Sequence, residues 1–279
     1  VALVLSTEKL AQKPISLPKD SSVSDVIRKL LDYNISRLVI KDHQRAVGII
    51  TEKDVGFFLF NETTKHGLDK LPIDTIMNKI TYVDEKEPPK NCAKIMLDKN
   101  ISSVALGADD TIKGIITKTD LVKHYAENYE GRHKVSEHMT RDFVSTHSAA
   151  PLSKVIKKML ENKISRIIIK NQAERPTGII SFRDLFKISL ALGSEEDDTG
   201  ITISEKIRKG FLSEGGFGGI SLAGDVATKE IISIKFDADL VDACKLLLEN
   251  KVSGLAVLDG NNEFSGILSK TDVTRALAS

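Results

Sequence analysis

The stretch Gly48-Ile49-Ile50-Thr51-Glu52-Lys53-Asp54-Val55 returns three more times along the chain. The copies are Gly114-Ile115-Ile116-Thr117-Lys118-Thr119-Asp120-Leu121, Gly178-Ile179-Ile180-Ser181-Phe182-Arg183-Asp184-Leu185 and Gly266-Ile267-Leu268-Ser269-Lys270-Thr271-Asp272-Val273. The shared pattern is G-h-h-[ST]-x-x-D-h, where h is apolar. A block that recurs this way marks a repeat architecture, and each copy is one supersecondary unit.

Two further blocks keep register with the first. Upstream lie Ile35-Ser36-Arg37-Leu38, Ile101-Ser102-Ser103-Val104, Ile164-Ser165-Arg166-Ile167 and Val252-Ser253-Gly254-Leu255, 13 or 14 positions before the glycine. Twelve positions further back, apolar residues begin to recur at offsets 0, 3, 4, 7 and 8. They are Val23, Val26, Ile27, Leu30, Leu31; then Pro89, Cys92, Ala93, Met96, Leu97; then Leu152, Val155, Ile156, Met159, Leu160; then Leu240, Ala243, Cys244, Leu247, Leu248. That spacing is one face of a helix. Each repeat therefore reads as an extended lead-in, a helix, two strands and a second helix. Asp42-His43-Gln44-Arg45 and Asp259-Gly260-Asn261-Asn262 supply turns between the strands. One unit has too little sheet to cover its own helices, so the units must pair.

The expected fold class is α/β (α+β), with repeats over 1–66, 67–130, 131–194 and 226–279 and a Gly-rich, acidic connection over 195–225. In that long connection Glu195-Glu196-Asp197-Asp198 reads as a solvated turn, and Ile203 to Phe211 reads as a short helix. The glycines of 210–219 lack G-x-x-x-x-G-K-[ST], so they make no P-loop.

Composition excludes several function classes. The 279 residues carry 40 Lys+Arg against 39 Asp+Glu, a net charge of +1, without the basic excess of a nucleic-acid or membrane-surface binder. Trp is absent and aromatics are 5%, which argues against a base-stacking platform. No apolar run reaches the roughly 18–20 residues of a membrane span. The start, Val1-Ala2-Leu3-Val4-Leu5, lacks a basic region and does not read as a signal peptide, so a cytoplasmic location is expected. Cys92 and Cys244 sit on apolar helix faces and read as reduced core thiols. The six histidines, His43, His66, His124, His133, His138 and His147, show no metal-ligand spacing. His133 and His138 are five apart, poor for one helix face, so no metal site is expected. Nothing has a catalytic arrangement, and no enzyme activity is expected.

The three blocks together resemble the cystathionine β-synthase (CBS) domain. The resemblance covers nearly the whole chain apart from the long third connection. It implies two tandem (Bateman) modules packed as a pseudo-symmetric disc, similar in plan to the gamma subunit of AMP-activated protein kinase. It also implies a non-catalytic regulatory protein with AMP, ADP or ATP in clefts between paired repeats. Another adenosine ligand such as S-adenosylmethionine, or a ligand-free scaffold, is the alternative. A regulated protein partner, unidentified, is implied as the output, on a monomeric disc or weak homodimer.

Candidate residues follow from both sources. Thr51/Asp54, Thr117/Asp120, Ser181/Asp184 and Ser269/Asp272 stand where a strand becomes a helix. One reading is a helix cap, the acidic residue reaching back to a backbone N–H. The other is ligand binding. A helix N-terminus favours phosphate, and the resemblance implies that the aspartate accepts ribose hydroxyls with the Ser/Thr beside the ribose or phosphate. The resemblance gives Arg37 and Arg166 a phosphate, and their slot holds Ser103 and Gly254 elsewhere, so the four sites differ. Lys53, Lys118, Arg183 and Lys270 add positive charge where the helix dipole disfavours it, which suits either a nearby anion or solvent. Adenine is expected between the lead-in positions Ile15, Thr81, Val144 and Ile232 and the second block, Ile35, Ser36, Ile101, Ser102, Ile164, Ser165, Val252 and Ser253. Plain core packing is the other reading of those positions.

Overall fold

The structure, a computed structural model, describes residues 7–61, 68–192, 212, 214, 217–229 and 231–279. The acidic run at 195–198, the expected helix from Ile203 to Phe211, His66 and the first five residues lie outside the described residues.

The repeat unit is realised four times. Repeat 1 contains β1 (Ser16–Pro18), α1 (Val23–Asp32), β2 (Arg37–Asp42), β3 (Arg45–Thr51) and α2 (Glu52–Asn61). Repeat 2 contains β4 (Tyr82–Val83), α3 (Pro89–Asp98), β5 (Ser103–Ala108), β6 (Thr111–Thr117) and α4 (Lys118–Asn128), followed by the short α5 (Val135–His138). Repeat 3 contains β7 (Ser145–His147), α6 (Leu152–Glu161), β8 (Arg166–Lys170), β9 (Pro176–Ser181) and α7 (Phe182–Leu192). After α8 (Phe217–Ile220) and α9 (Ala223–Val226), repeat 4 contains β10 (Ser233–Lys235), α10 (Leu240–Glu249), β11 (Gly254–Leu258), β12 (Phe264–Ser269) and α11 (Lys270–Ala278). Each repeat forms its own three-stranded sheet, a parallel first pair followed by an antiparallel hairpin. The fold is α/β, four repeated units in two tandem pairs. No helix among the described residues is long and apolar enough to cross a membrane.

The fixed twelve-residue spacing from helix start to second block has a local cause. Each first helix ends with a residue in the left-handed region: Asn34 at φ 51°, Asn100 at 51°, Lys163 at 54° and Lys251 at 53°. The next N–H then turns back. Ile35 donates to Leu30 O at 3.0 Å, Ile101 to Met96 O at 2.9 Å, Ile164 to Met159 O at 3.0 Å and Val252 to Leu247 O at 3.1 Å. This is a Schellman motif, which pairs an apolar residue after the turn with one in the last helical turn. The apolar head of the h-S-x-h block is that residue.

The motif glycine also has a cause, and it is steric. Its φ is not in the left-handed region in any repeat. Instead, the segment ahead of a repeat crosses the glycine's strand. Asn78 bridges to Ile49, Gln12 to Ile115, Thr228 to Ile179 and Thr140 to Ile267. A Cβ on Gly266 would stand 2.7 Å from Thr140 O, and one on Gly178 would stand 2.9 Å from Thr228 O. In those two repeats only glycine permits the backbone approach, while a Cβ on Gly48 or Gly114 would first meet the side chain of Met77 or Ala11 in the crossing segment. The segments are exchanged within tandem pairs: the one before repeat 1 crosses a strand of repeat 2, and the reverse, with the same exchange between repeats 3 and 4.

The compact units cut across sequence order. One holds Ile15–Lys79 and Val144–Glu230, repeats 1 and 3; the other holds Val1–Pro14, Ile80–Phe143 and Ile231–Ser279, repeats 2 and 4. We call them the odd and even units. In the odd unit, Val23, Val26, Ile27 and Leu30 of α1 share a core with Leu152, Val155, Ile156 and Met159 of α6 and with Phe182 and Phe186 of α7. In the even unit, Cys92, Ala93 and Met96 share a core with Leu240, Ala243, Cys244 and Leu247 and with Tyr125 of α4. Each fully buried large apolar side chain contributes about 1.5–3 kcal/mol. Cys92 and Cys244 are free thiols inside the even core, and burial pushes both up to about 12, which keeps them protonated and inert.

Candidate functional site

The hairpin of each repeat brings two recurring blocks together. Arg37 stands opposite Thr51, Ser103 opposite Thr117, Arg166 opposite Ser181 and Gly254 opposite Ser269. The carbonyls of Ser36, Ser102, Ser165 and Ser253 accept from the N–H groups of Glu52, Lys118, Phe182 and Lys270 at 3.1, 3.2, 3.4 and 3.1 Å. The variable slot and the motif Ser/Thr are thus cross-strand neighbours at the mouth of a helix in every repeat.

The four aspartates are helix caps. Asp54 Oδ2 accepts from Thr51 N at 2.8 Å and Thr51 Oγ1 at 2.6 Å. Asp120 Oδ2 does so from Thr117 at 2.8 and 2.7 Å, Asp184 Oδ2 from Ser181 at 2.9 and 2.6 Å, and Asp272 Oδ2 from Ser269 at 2.6 and 2.6 Å. The capping arrangement read from the sequence is present four times.

The other carboxylate oxygen tells the four apart. Asp272 is 1% exposed, and its Oδ1 accepts from Thr140 Oγ1 and from Arg275 Nη1, both at 2.9 Å. Asp184 Oδ1 has one long bond, 3.5 Å, from Thr228 Oγ1. Asp54 and Asp120 are partly exposed, and their Oδ1 atoms accept no hydrogen bond among the described residues. A carboxylate held by one oxygen and open at the other can accept a ligand hydroxyl.

The basic residues at the junctions tie repeats to each other. In the odd unit, Arg183 of repeat 3 donates from Nε and Nη2 to Glu52 Oε1 at 3.0 and 2.8 Å, from Nη2 to Ser36 Oγ at 3.2 Å, and from Nη1 to Asn34 Oδ1. Lys53 of repeat 1 returns the tie, donating to Lys163 O at 2.6 Å, and burial holds its pKa below the ordinary lysine value against the pull of Asp54. In the even unit, Lys118 Nζ donates to Thr271 Oγ1 at 3.0 Å and Lys270 Nζ to Thr119 Oγ1 at 2.9 Å. All four residues hydrogen-bond to the repeat with which their own shares a core.

Arg166 differs. It is partly buried beside Glu52, Arg183 and Asp184, and burial holds its pKa below the ordinary arginine value. Its guanidinium makes no hydrogen bond among the described residues, while the nearby Glu52 is already bonded to Arg183. The lead-in positions are half-buried. Ile15, Thr81 and Ile232 present their carbonyls to Val39, Ala105 and Ala256 N at 3.1, 2.9 and 2.9 Å. Ile15, Val144, Ile35 and Ile164 pack at the edge of the odd core, and Ile101, Ile232 and Val252 at the edge of the even core.

Sequence reasoning missed Glu52, Thr140 and Thr228. The available signal was a polar residue three or four positions before each lead-in, namely Gln12, Asn78, Thr140 and Thr228. Its role becomes visible only when that segment crosses the strand of another repeat.

Set against known proteins, the chain matches the CBS domain model over residues 8–59, 73–127, 135–191 and 223–279. It is 22% identical over 193 residues to protein MJ1225 of Methanocaldococcus jannaschii, 64% of this chain and 68% of that one. The crystal structure of MJ1225, proposed as an archaeal homolog of g-AMPK, is similar with a TM-score of 0.81 and 20% identity over 98% of this chain and 100% of that chain. A conserved protein from Pyrococcus horikoshii is similar with a TM-score of 0.63 and 13% identity over 98% of this chain and 100% of that chain. PAE2072 from Pyrobaculum aerophilum, a CBS domain protein complexed with AMP, is 23% identical over 42% of this chain and 90% of that chain, with a TM-score of 0.37. Each matched segment covers one of the four repeat units of the structure, and the chain belongs to the CBS domain family.

Proposed function

We propose that this chain is a sensor that binds an adenine nucleotide, AMP, ADP or ATP, at the strand–helix junctions of its repeats. Arg166 is the observation that carries the proposal. A partly buried guanidinium beside a Glu52 that already serves Arg183 is stabilised by an incoming anion. Its planar fork suits phosphate oxygens. The open Oδ1 atoms of Asp54 and Asp120, and the weakly engaged one of Asp184, accept ribose hydroxyls. The apolar edges formed by Ile15, Ile35, Val144 and Ile164, and by Ile101, Ile232 and Val252, take the base.

Repeat 4 supports a second, narrower reading. Both oxygens of Asp272 are already engaged, so this aspartate serves the fold and leaves no acceptor for a ligand. Occupancy of the other junctions changes the protein's state only as far as the ligand binds one state better than another. A separate protein partner reads that state.

The test replaces Arg166 by Gln and compares AMP with adenosine. We expect AMP affinity to fall by about 10–150-fold, the loss of one charge-assisted contact of about 1.5–3 kcal/mol, with adenosine affinity unchanged. Equal effects on both ligands would remove Arg166 from the phosphate. Tighter binding of S-adenosylmethionine than of AMP would redirect the reading to that ligand.

A further inference from the structure

We propose that His133, Glu137 and His138 form a binding site for a divalent transition cation of the Zn2+ class. One ligating atom from each residue lies within 4.8 Å of the others. The five-residue separation argues against a shared helix face only if both histidines are helical. They are not. His133 precedes the N-terminus of α5, and Glu137 and His138 close that short helix, so the chain turns back on itself between the two rings. The imidazoles meet edge to face, with centroids 4.6 Å apart at 73°.

The first ligand is anchored from behind. The His133 carbonyl accepts from Leu240 N at 2.9 Å, and His133 Nδ1 lies 2.6 Å from the hydroxyl of Tyr125. Tyr125 is fully buried and stacks on Tyr129 at 4.8 Å. With Nδ1–H donating to that hydroxyl, the Nε2 lone pair is left for the ion. An outer partner that fixes tautomer and ring orientation is the support a ligating histidine usually has.

The donor set selects the metal. Two imidazole nitrogens and one carboxylate match Zn2+ or a similar borderline cation, whereas Mg2+ and Ca2+ take oxygen ligands. Three protein ligands leave a fourth position for water. Ligands about 2.0–2.2 Å from a tetrahedral ion stand about 3.4 Å apart, so closure asks for a modest side-chain shift. Glu137 is exposed and can supply it. The bound ion would clip the connection between repeats 2 and 3 onto itself.

The experiment uses the full chain, freed of metal by chelation, titrated with Zn2+ by calorimetry and with Co2+ by visible absorption. We expect one saturable equivalent of Zn2+ and the absorption bands of a tetrahedral Co2+ site. Glu137→Gln, an exposed change with little risk to folding, and His138→Ala should each lower Zn2+ affinity by about 100-fold and abolish those bands. Tyr125→Phe keeps all three ligands and should lower affinity by about 10–100-fold. His43→Ala, remote in sequence, should change nothing. Absence of a saturable equivalent in the wild type would overturn the proposal. So would an unchanged affinity and spectrum in Glu137→Gln and His138→Ala.

Discussion

Asp272 and Asp54 occupy the same place in the motif and differ in what surrounds their second oxygen. Asp272 accepts from Ser269 with one oxygen and from Thr140 and Arg275 with the other, inside the protein. Removing it strips a cap and leaves the Thr140 hydroxyl without its acceptor. Asp54 loses a cap alone. We therefore expect Asp272→Ala to cost about 2–4 kcal/mol, a cap plus an unpaired half-buried hydroxyl. Asp54→Ala should cost about 0.5–2 kcal/mol. Chemical denaturation of both variants reads the difference directly. The opposite order would mean that the second oxygen of Asp272 adds nothing. The capping role of all four aspartates was legible in the sequence, because a cap is local, spanning three residues. The inequality among them was not. It depends on Thr140, which is 132 residues from Asp272. The same distance hid the roles of Lys53 and Arg183, whose partners Lys163 and Glu52 lie 110 and 131 residues away.

At the scale of the element, helix periodicity served well. Offsets 0, 3, 4 and 7 of the first helix are buried in all four repeats, while offset 8, at Leu31, Leu97, Leu160 and Leu248, is only half-buried. That last position lies at the helix end, where the chain turns away. The turn itself stores a testable cost. Asn34 and Asn100 tolerate the left-handed region, but Lys163 and Lys251 carry a full side chain there. L-residues other than Gly, Asn and Asp are disfavoured in it by roughly 1–2 kcal/mol. Gly gives back part of that gain through the greater freedom of the unfolded chain. Lys251→Gly should thus raise stability by about 0.5–1 kcal/mol. The denaturant midpoint should rise with an unchanged slope, and a fall would show that the lysine side chain makes a contact worth more than the strain. The motif glycine illustrates the limit of reading along the chain. Its recurrence is plain in the sequence, but its reason is a crossing segment, through the backbone of Thr140 against Gly266 and through the side chain of Ala11 against Gly114.

At the scale of the whole molecule, four repeats of one plan are not four equal sites. The basic slot is filled in repeats 1 and 3 by Arg37 and Arg166, and holds Ser103 and Gly254 in repeats 2 and 4. The repeats of the odd unit thus carry the arginines, and those of the even unit carry the fully engaged Asp272. The register of three blocks revealed the repeats and their family. It did not reveal that repeat 1 shares a core with repeat 3, because every first helix offers a similar apolar face and periodicity names no partner. The central claim is that the chain binds an adenine nucleotide through a subset of its junctions. The most direct measurement is calorimetric titration of nucleotide-stripped protein with AMP, ADP and ATP, in the wild type and in Asp54→Ala, Asp120→Ala, Asp184→Ala and Asp272→Ala. The account predicts saturable binding that is weakened in the Asp54, Asp120 or Asp184 variants and retained in a folded Asp272→Ala. A ligand at about 100 times its dissociation constant should also stabilise the protein by about 2.7 kcal/mol. No heat and no shift in melting temperature at millimolar nucleotide would contradict it, and would leave the four aspartates as caps alone.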